Sequence, residues 1–256
     1  MSFLSLVGVE FKKIKRSKIF LILFAATVIL WIPSILNAEM NFNMQAEGIS
    51  PENNFFIQGF MGMAWFMFPA SMVVGTVLLS QTERTNKGIL KMLALPISTV
   101  KLCLAKFVVL LALAASQILM MVGMYYISAA IVTGTQDYNF ILSPLFVFKE
   151  VGFIAVSTIP MLAFFWLLAV CIQTPIFSIG IGLASIVPSV LMINTKAWFA
   201  CPMSYPFFVI TSEYGKLATN LTTSQVELFP WIPVAIVITI VCLCISCFRF
   251  GQAERR

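Results

Sequence analysis

The residues that could do chemistry in this sequence are few. Cys242, Cys244 and Cys247 stand close together near the C-terminus, a density at which thiolates can hold a metal. They lie in an apolar run with no fourth ligand or acidic neighbour, so they read as small packing residues. Cys103, Cys171 and Cys201 add no disulfide framework. There is no histidine at all. That removes Ser-His and Cys-His nucleophile pairs, His-ligated zinc and haem. No GxxxxGK[ST] phosphate loop occurs, so the chain does not bind ATP in that way itself. Paired membrane aspartates, which an intramembrane protease would need, are missing too. Lys106 and Glu150 fall at the ends of apolar runs, where long side chains reach the membrane interface. No ionisable residue falls near the middle of a run. Proton- or sodium-coupled carriers usually bury such a group, so secondary transport is disfavoured.

The elements that must position these residues are membrane helices. The chain has 256 residues, 60% hydrophobic and only 10% charged, where a soluble domain has about 25%. Disorder needs low hydrophobicity and high charge and is excluded. Six stretches are long enough to cross a hydrocarbon core of about 30 Å as helices. They run over about 19–36, 55–80, 107–132, 145–172, 175–193 and 230–247. The expected fold is an all-α polytopic membrane protein in a single domain over 1–256. Thirteen of the sixteen Lys and Arg residues, but only three of the ten acids, lie in the N-terminal segment, the second-to-third connection and the C-terminal tail. The positive-inside rule puts these three regions, and both termini, in the cytoplasm. The net charge of +6 is therefore read as topology, and nucleic acid is not an expected partner. Leu36 stands where a signal peptidase wants a small residue before a cut at Ala38, so the first span is expected to be retained.

The connections carry further patterns. Over residues 2–18, Phe3, Val7, Phe11 and Ile14 recur at helical spacing on one face, with Lys12, Lys15 and Arg16 elsewhere. This predicts an amphipathic helix on the inner membrane surface, its cations toward anionic lipid headgroups. Residues 81–101 form a second amphipathic segment. Its apolar residues are Ile89, Leu90, Met92 and Leu93, its cations Arg84, Lys87 and Lys91, and Pro96 stops the helix. A short helix standing below the membrane needs something to bind. The connection 195–228 is rich in aromatics and broken by Pro202 and Pro206, which suggests interfacial or re-entrant helices. In the fifth span Ser178, Gly180, Gly182 and Ala184 form two overlapping small-xxx-small pairs, suited to close packing against another helix or across a dimer. Prolines 33, 69, 160, 188 and 233 sit inside spans and shape them.

This order of parts resembles the permease subunit of an ABC-2 type ABC transporter, with a type V exporter-like fold. The run Glu83-Arg84-x-Asn86-Lys87-x-x-x-Lys91-Met-Leu93-Ala-Leu95-Pro96-Ile97-Ser98, followed by Lys106, is similar to that family's coupling-helix segment. It looks closest to the bacterial lantibiotic-immunity and bacitracin-resistance permeases. Where that branch often has a bulky residue, this chain has Gly88. The resemblance implies a multi-pass protein of a bacterial plasma membrane, two permeases together, alike or different, bound to a cytoplasmic ABC ATPase dimer. ATP and Mg would reside on that partner, with no cofactor, metal or catalytic residue on this chain. Glu83, Arg84, Lys87 and Lys91 would offer charge to the ATPase, Leu90, Leu93 and Leu95 would fill its groove, and Pro96 would fix the turn. The implied cargo is an amphiphilic peptide or lipid-like compound, expelled from the bilayer. The competing readings are an ATP-independent carrier or scramblase, and a scaffold or sensor subunit that transports nothing.

Overall fold

The computed structural model describes residues 2–15, 17–43, 46–84, 98–218 and 228–253. Among these there are helices and turns and no strand. Six helical segments are long and apolar enough to cross a membrane: Ile19–Leu36, Pro51–Gln81, Thr99–Gln136, Pro144–Cys171, Pro175–Met192 and Leu228–Phe250. The chain is an all-α polytopic membrane protein, as its composition requires. With six such segments in alternation among the described residues, the first and the last helix lie with their outer ends at one end of the bundle, the terminal end. The other is the far end.

In chain order the helices are α1 (Phe3–Lys15), α2 (Ile19–Leu36), the short α3 (Met40–Asn43), α4 (Pro51–Gly62), α5 (Phe68–Arg84) and α6 (Thr99–Gln136). Then come α7 (Pro144–Ser157), α8 (Ile159–Cys171), α9 (Pro175–Met192), α10 (Tyr205–Leu217) and α11 (Leu228–Ala253). Spans 2 and 4 are each made of two pieces. In span 2 a π-helical turn, Met63–Met67, joins α4 to α5. Pro69 follows it and has no N–H to give to an α-helical bond, so a wider turn fits there. Span 4 breaks at Thr158, two residues before Pro160, for the same reason. Pro51, Pro144 and Pro175 each open a helix, the position where a missing N–H costs nothing. Thr174 and Ser143 hold the N-cap positions with extended backbone, but neither side chain makes a capping hydrogen bond.

Spans 2, 3 and 4 supply the core, half or more of their length being buried. The others show it one stripe each. Span 1 offers Ile19, Leu23, Thr27 and Trp31, four apart in sequence. Span 6 packs against α8, where Trp166 meets Phe250. At the far end the core is aromatic: Trp31, Phe55, Phe56, Phe60, Tyr125 and Phe140 lie with ring centroids about one ring-width apart. A Cβ on Gly59 would stand only 2.5 Å from the Trp31 ring, so glycine is required for span 2 to come this close. The Tyr125 hydroxyl donates to the Phe140 carbonyl (3.1 Å) and accepts from the Leu142 amide (3.0 Å), pinning the turn after span 3. In that turn the Tyr138 hydroxyl donates to the Glu52 carboxylate, and this bond raises the tyrosine's pKa above its ordinary value. The aromatic connection after span 5 forms α10. Its residues Phe208, Val209 and Ile210 are buried against the far halves of spans 2 and 4.

Candidate transmission site

At the terminal end, α1 lies against the first turns of α6. The residues that seat it are Leu6, Glu10 and Ile14, four apart and all buried. Ile14 and Val7 belong to the apolar face expected from sequence, Val7 half-buried against the core. Phe3 and Phe11 lie on the neighbouring stripe and stay partly exposed, and Lys12 is exposed. Thus the helix has two adjacent stripes, one buried against the protein and one aromatic stripe left partly exposed. Lys15 is in its last turn, and Arg16 lies outside the described residues. Ser17 closes the turn, its amide (2.8 Å) and hydroxyl (2.7 Å) both donating to the Ile14 carbonyl. Two residues later α2 begins, and α1 and span 1 both pack on α6.

That support is unusually long. At 1.5 Å per residue the 38 residues of α6 reach about 57 Å, well beyond a hydrocarbon core of about 30 Å. Lys106 is in its second turn. The expectation that this lysine reaches out to the interface is corrected by the structure. It turns inward, is 1% exposed, and its Nζ lies 2.8 Å from Glu10 Oε2. Glu10 itself is fully buried, and its other oxygen accepts from Lys13 Nζ at 2.6 Å. One carboxylate therefore joins two lysines, one on its own helix and one on span 3. Removing a partner from such a buried pair strands a charge and costs about 3–5 kcal/mol. The pattern Leu6-Glu10-Ile14, an acid centred in an apolar stripe, was the available signal. What it lacked was the partner, 96 residues away.

Two further links run from here into the bundle. The Trp166 indole donates to Cys103 Sγ of α6 (3.3 Å), and the Ser80 hydroxyl to the Ala169 carbonyl (3.4 Å), tying spans 2, 3 and 4 together. Deeper, the Gln117 amide donates to Ser71 Oγ (2.9 Å), and Ser71 donates to the Met67 carbonyl at the end of the π turn. Span 3 thus holds the turn of span 2 through a polar relay. Gln117 Oε1 is buried with no hydrogen-bond partner among the described residues.

The expected ATPase-coupling residues follow directly on span 2. Glu83 and Arg84 form the last residues of α5. Lys87, Leu90, Lys91, Leu93, Leu95 and Pro96 lie outside the described residues. In span 5 the two small pairs are split. Ser178 and Gly182 face inward, and a Cβ on Gly182 would stand 2.7 Å from Val73 of α5. Gly180 and Ala184 are exposed on another face. Cys242 is buried and Cys244 exposed. Among the described residues no three His, Cys, Asp or Glu side chains gather as metal ligands.

A protein-family profile described as ABC-2 family transporter protein matches residues 6–189. The matched stretch begins in α1, at the residue that opens its buried stripe, and ends in span 5. No curated protein and no solved structure gives a match. The match covers well over half of the chain and takes in both sides of the Glu10–Lys106 junction, and the chain therefore belongs to the ABC-2 transporter family.

Proposed function

We propose that this chain is the permease subunit of an ATP-driven exporter, powered by a separate ABC ATPase and expelling an amphiphilic compound, a lantibiotic-like peptide or a lipid-like molecule, from a bacterial plasma membrane. The observation that carries the reading is the buried Glu10–Lys106 pair in a chain of this family. It fastens a surface helix to the span that begins where residues 85–97 end. An ATPase docked on that segment, through Glu83 to Pro96, would push on α5 and α6 together. Lys106 would pass the push to α1, and the Ser71–Gln117 relay would pass it to the π turn of span 2. The chain needs no cofactor of its own for this; ATP and Mg act on the partner. Both termini face the cytoplasm in this reading, and α1 lies on the inner leaflet with Phe3 and Phe11 toward lipid. The exposed Gly180–Ala184 face is where a second permease would pack.

The test is purification of the full chain from its native membrane in a gentle detergent, with partners identified by mass spectrometry. An equimolar ABC ATPase is the expected result, and its loss on replacing Leu90 and Leu93 together by Asp would locate the dock. A chain recovered alone under several mild conditions would replace this reading with that of a carrier or a scaffold.

A further inference from the structure

The break in span 4 leaves a recess between that span and α11. Its volume is about 510 Å³, inside the range of about 300–1,000 Å³ in which proteins hold small molecules. Phe153, Val156 and Pro160 form one wall, and Ala235, Ile236 and Ile240 the other. Of the polar side chains that touch it, the Trp231 indole N–H is buried without a partner among the described residues, and the three hydroxyls are satisfied within the protein. Ser157 Oγ donates to the Ile154 carbonyl (2.7 Å), Thr239 Oγ1 to the Ala235 carbonyl (2.8 Å), and the Tyr205 hydroxyl to the Phe199 carbonyl. Apart from that one N–H, the recess calls for an apolar occupant. It also opens sideways, because Phe153, Val156, Ile236 and Ile240 are all exposed.

A second feature says which apolar occupant fits. Lys149, Phe153 and Val156 follow one another at helical spacing along one exposed stripe of α7. Lys149 stands one turn nearer the far end, with its side chain 64% exposed. It pairs with the buried Glu150 at 3.6 Å, a distance too long for a good hydrogen bond, so part of the ammonium's three-donor capacity stays open to another anion. A cation at the rim with an apolar slot beneath it has the outline of a phospholipid. A second copy of this chain seated there would have to desolvate that lysine.

We propose that this recess holds one acyl chain of a bilayer phospholipid in the far-end leaflet, with Lys149 meeting its phosphate. The proposal is independent of the ATPase reading, since the permease alone can be assayed. The experiment uses the full chain in vesicles containing a small fraction of phosphatidylglycerol with a photoactivatable diazirine in its acyl chain. After photolysis, adducts are mapped by peptide mass spectrometry. Adducts at 153–160 and 231–240 should exceed those on the exposed stripe of α2 at Leu21 and Phe24. Ala235→Phe, which fills the slot, should lower recess adducts by at least about five-fold, the low end of overpacking effects, and leave α2 adducts unchanged. Lys149→Glu should lower adducts with this probe but not with a diacylglycerol probe of the same chain. If Ala235→Phe also changes the α2 adducts, Thr239→Leu repeats the test with a smaller change. Equal labelling of recess and α2, unmoved by either filling variant, overturns the proposal. So do cross-links from the recess to a second copy. A Lys149→Glu loss that is the same for both probes overturns the phosphate contact.

Discussion

The two ends of the bundle are held by different forces. At the far end, spans 1, 2 and 3 interlock through rings, with Trp31 pressed over Gly59 and Tyr125 among the phenylalanines. At the terminal end, α1 is fastened to span 3 by one buried carboxylate between two lysines. A ring cluster gains its energy from many small contacts, none of them decisive. A buried ion pair is decided by one partner, because the alternative to pairing is a stranded charge. The far end is therefore a joint built to stay closed. The terminal end rests on a contact that one substitution can break, and it stands beside the segment proposed above as the ATPase dock. On the proposed reading, an ATPase push would enter at the end held by a single ion pair and work against the end held by many ring contacts.

The sharpest way to break this contrast is Glu10→Gln. It takes the carboxylate away from the buried Lys106 ammonium and should cost up to about 3–5 kcal/mol at the α1–span 3 junction. Protease cleavage within α1 should rise steeply while the far-end aromatic fluorescence stays as it was. The double change Glu10→Leu with Lys106→Met removes both charges and should return α1 to protection, since apolar replacements of a buried pair are often neutral or stabilising. Failure of the double variant to recover would show that the pair is not what seats the helix.

The far end should respond in the opposite manner. Gly59→Leu drives a side chain into the Trp31 indole, with an expected loss of about 1–3 kcal/mol in global unfolding. The loss should appear as lower thermal stability of the whole bundle, with α1 no more exposed to protease than before. Selective release of α1 by this variant would mean that the two ends are not separate.

This contrast also marks how much could be read from residue order. The six spans were legible because about twenty apolar residues leave few alternatives in a bilayer. Tyr125 and the phenylalanines were legible only as apolar mass. In α1, two stripes of apolar residues lie side by side, Phe3-Val7-Phe11 and Leu6-Glu10-Ile14. Periodicity cannot say which meets protein, and the decision comes from Lys106. For that lysine a helix-end position permits either reach to the interface or burial, and only a distant carboxylate settles it. The π turn had no sign beyond Pro69, because it is a response of the backbone to its neighbours. The overlapping small pairs of span 5 were equally open until Val73 was seen to lie over Gly182 and not over Gly180.

That last point gives a smaller effect. Gly182→Leu meets Val73 and should cost about 1 kcal/mol, the low end of overpacking, since a valine has some room to yield. Val73→Ala in the same chain should recover most of it. Gly180→Leu, on the exposed face, should leave the stability of the single chain unchanged, and a shift to a smaller particle in size-exclusion chromatography would identify that face as the site of a second permease.

The smallest effect is expected midway between the ends. Gln117→Leu removes the donor to Ser71 and with it a buried carbonyl oxygen that has no partner among the described residues. Hydrogen bonds between membrane helices are worth about 0.6 kcal/mol on average, and deleting the orphan acceptor offsets part of that. Unfolding should therefore scarcely change. Transport should change more than stability, because Ser71 would still bond the Met67 carbonyl but would no longer answer to span 3. If the relay only holds helices together, activity and stability will fall in proportion. If it carries motion from span 3 to the π turn of span 2, export will drop while the melting curve stays in place.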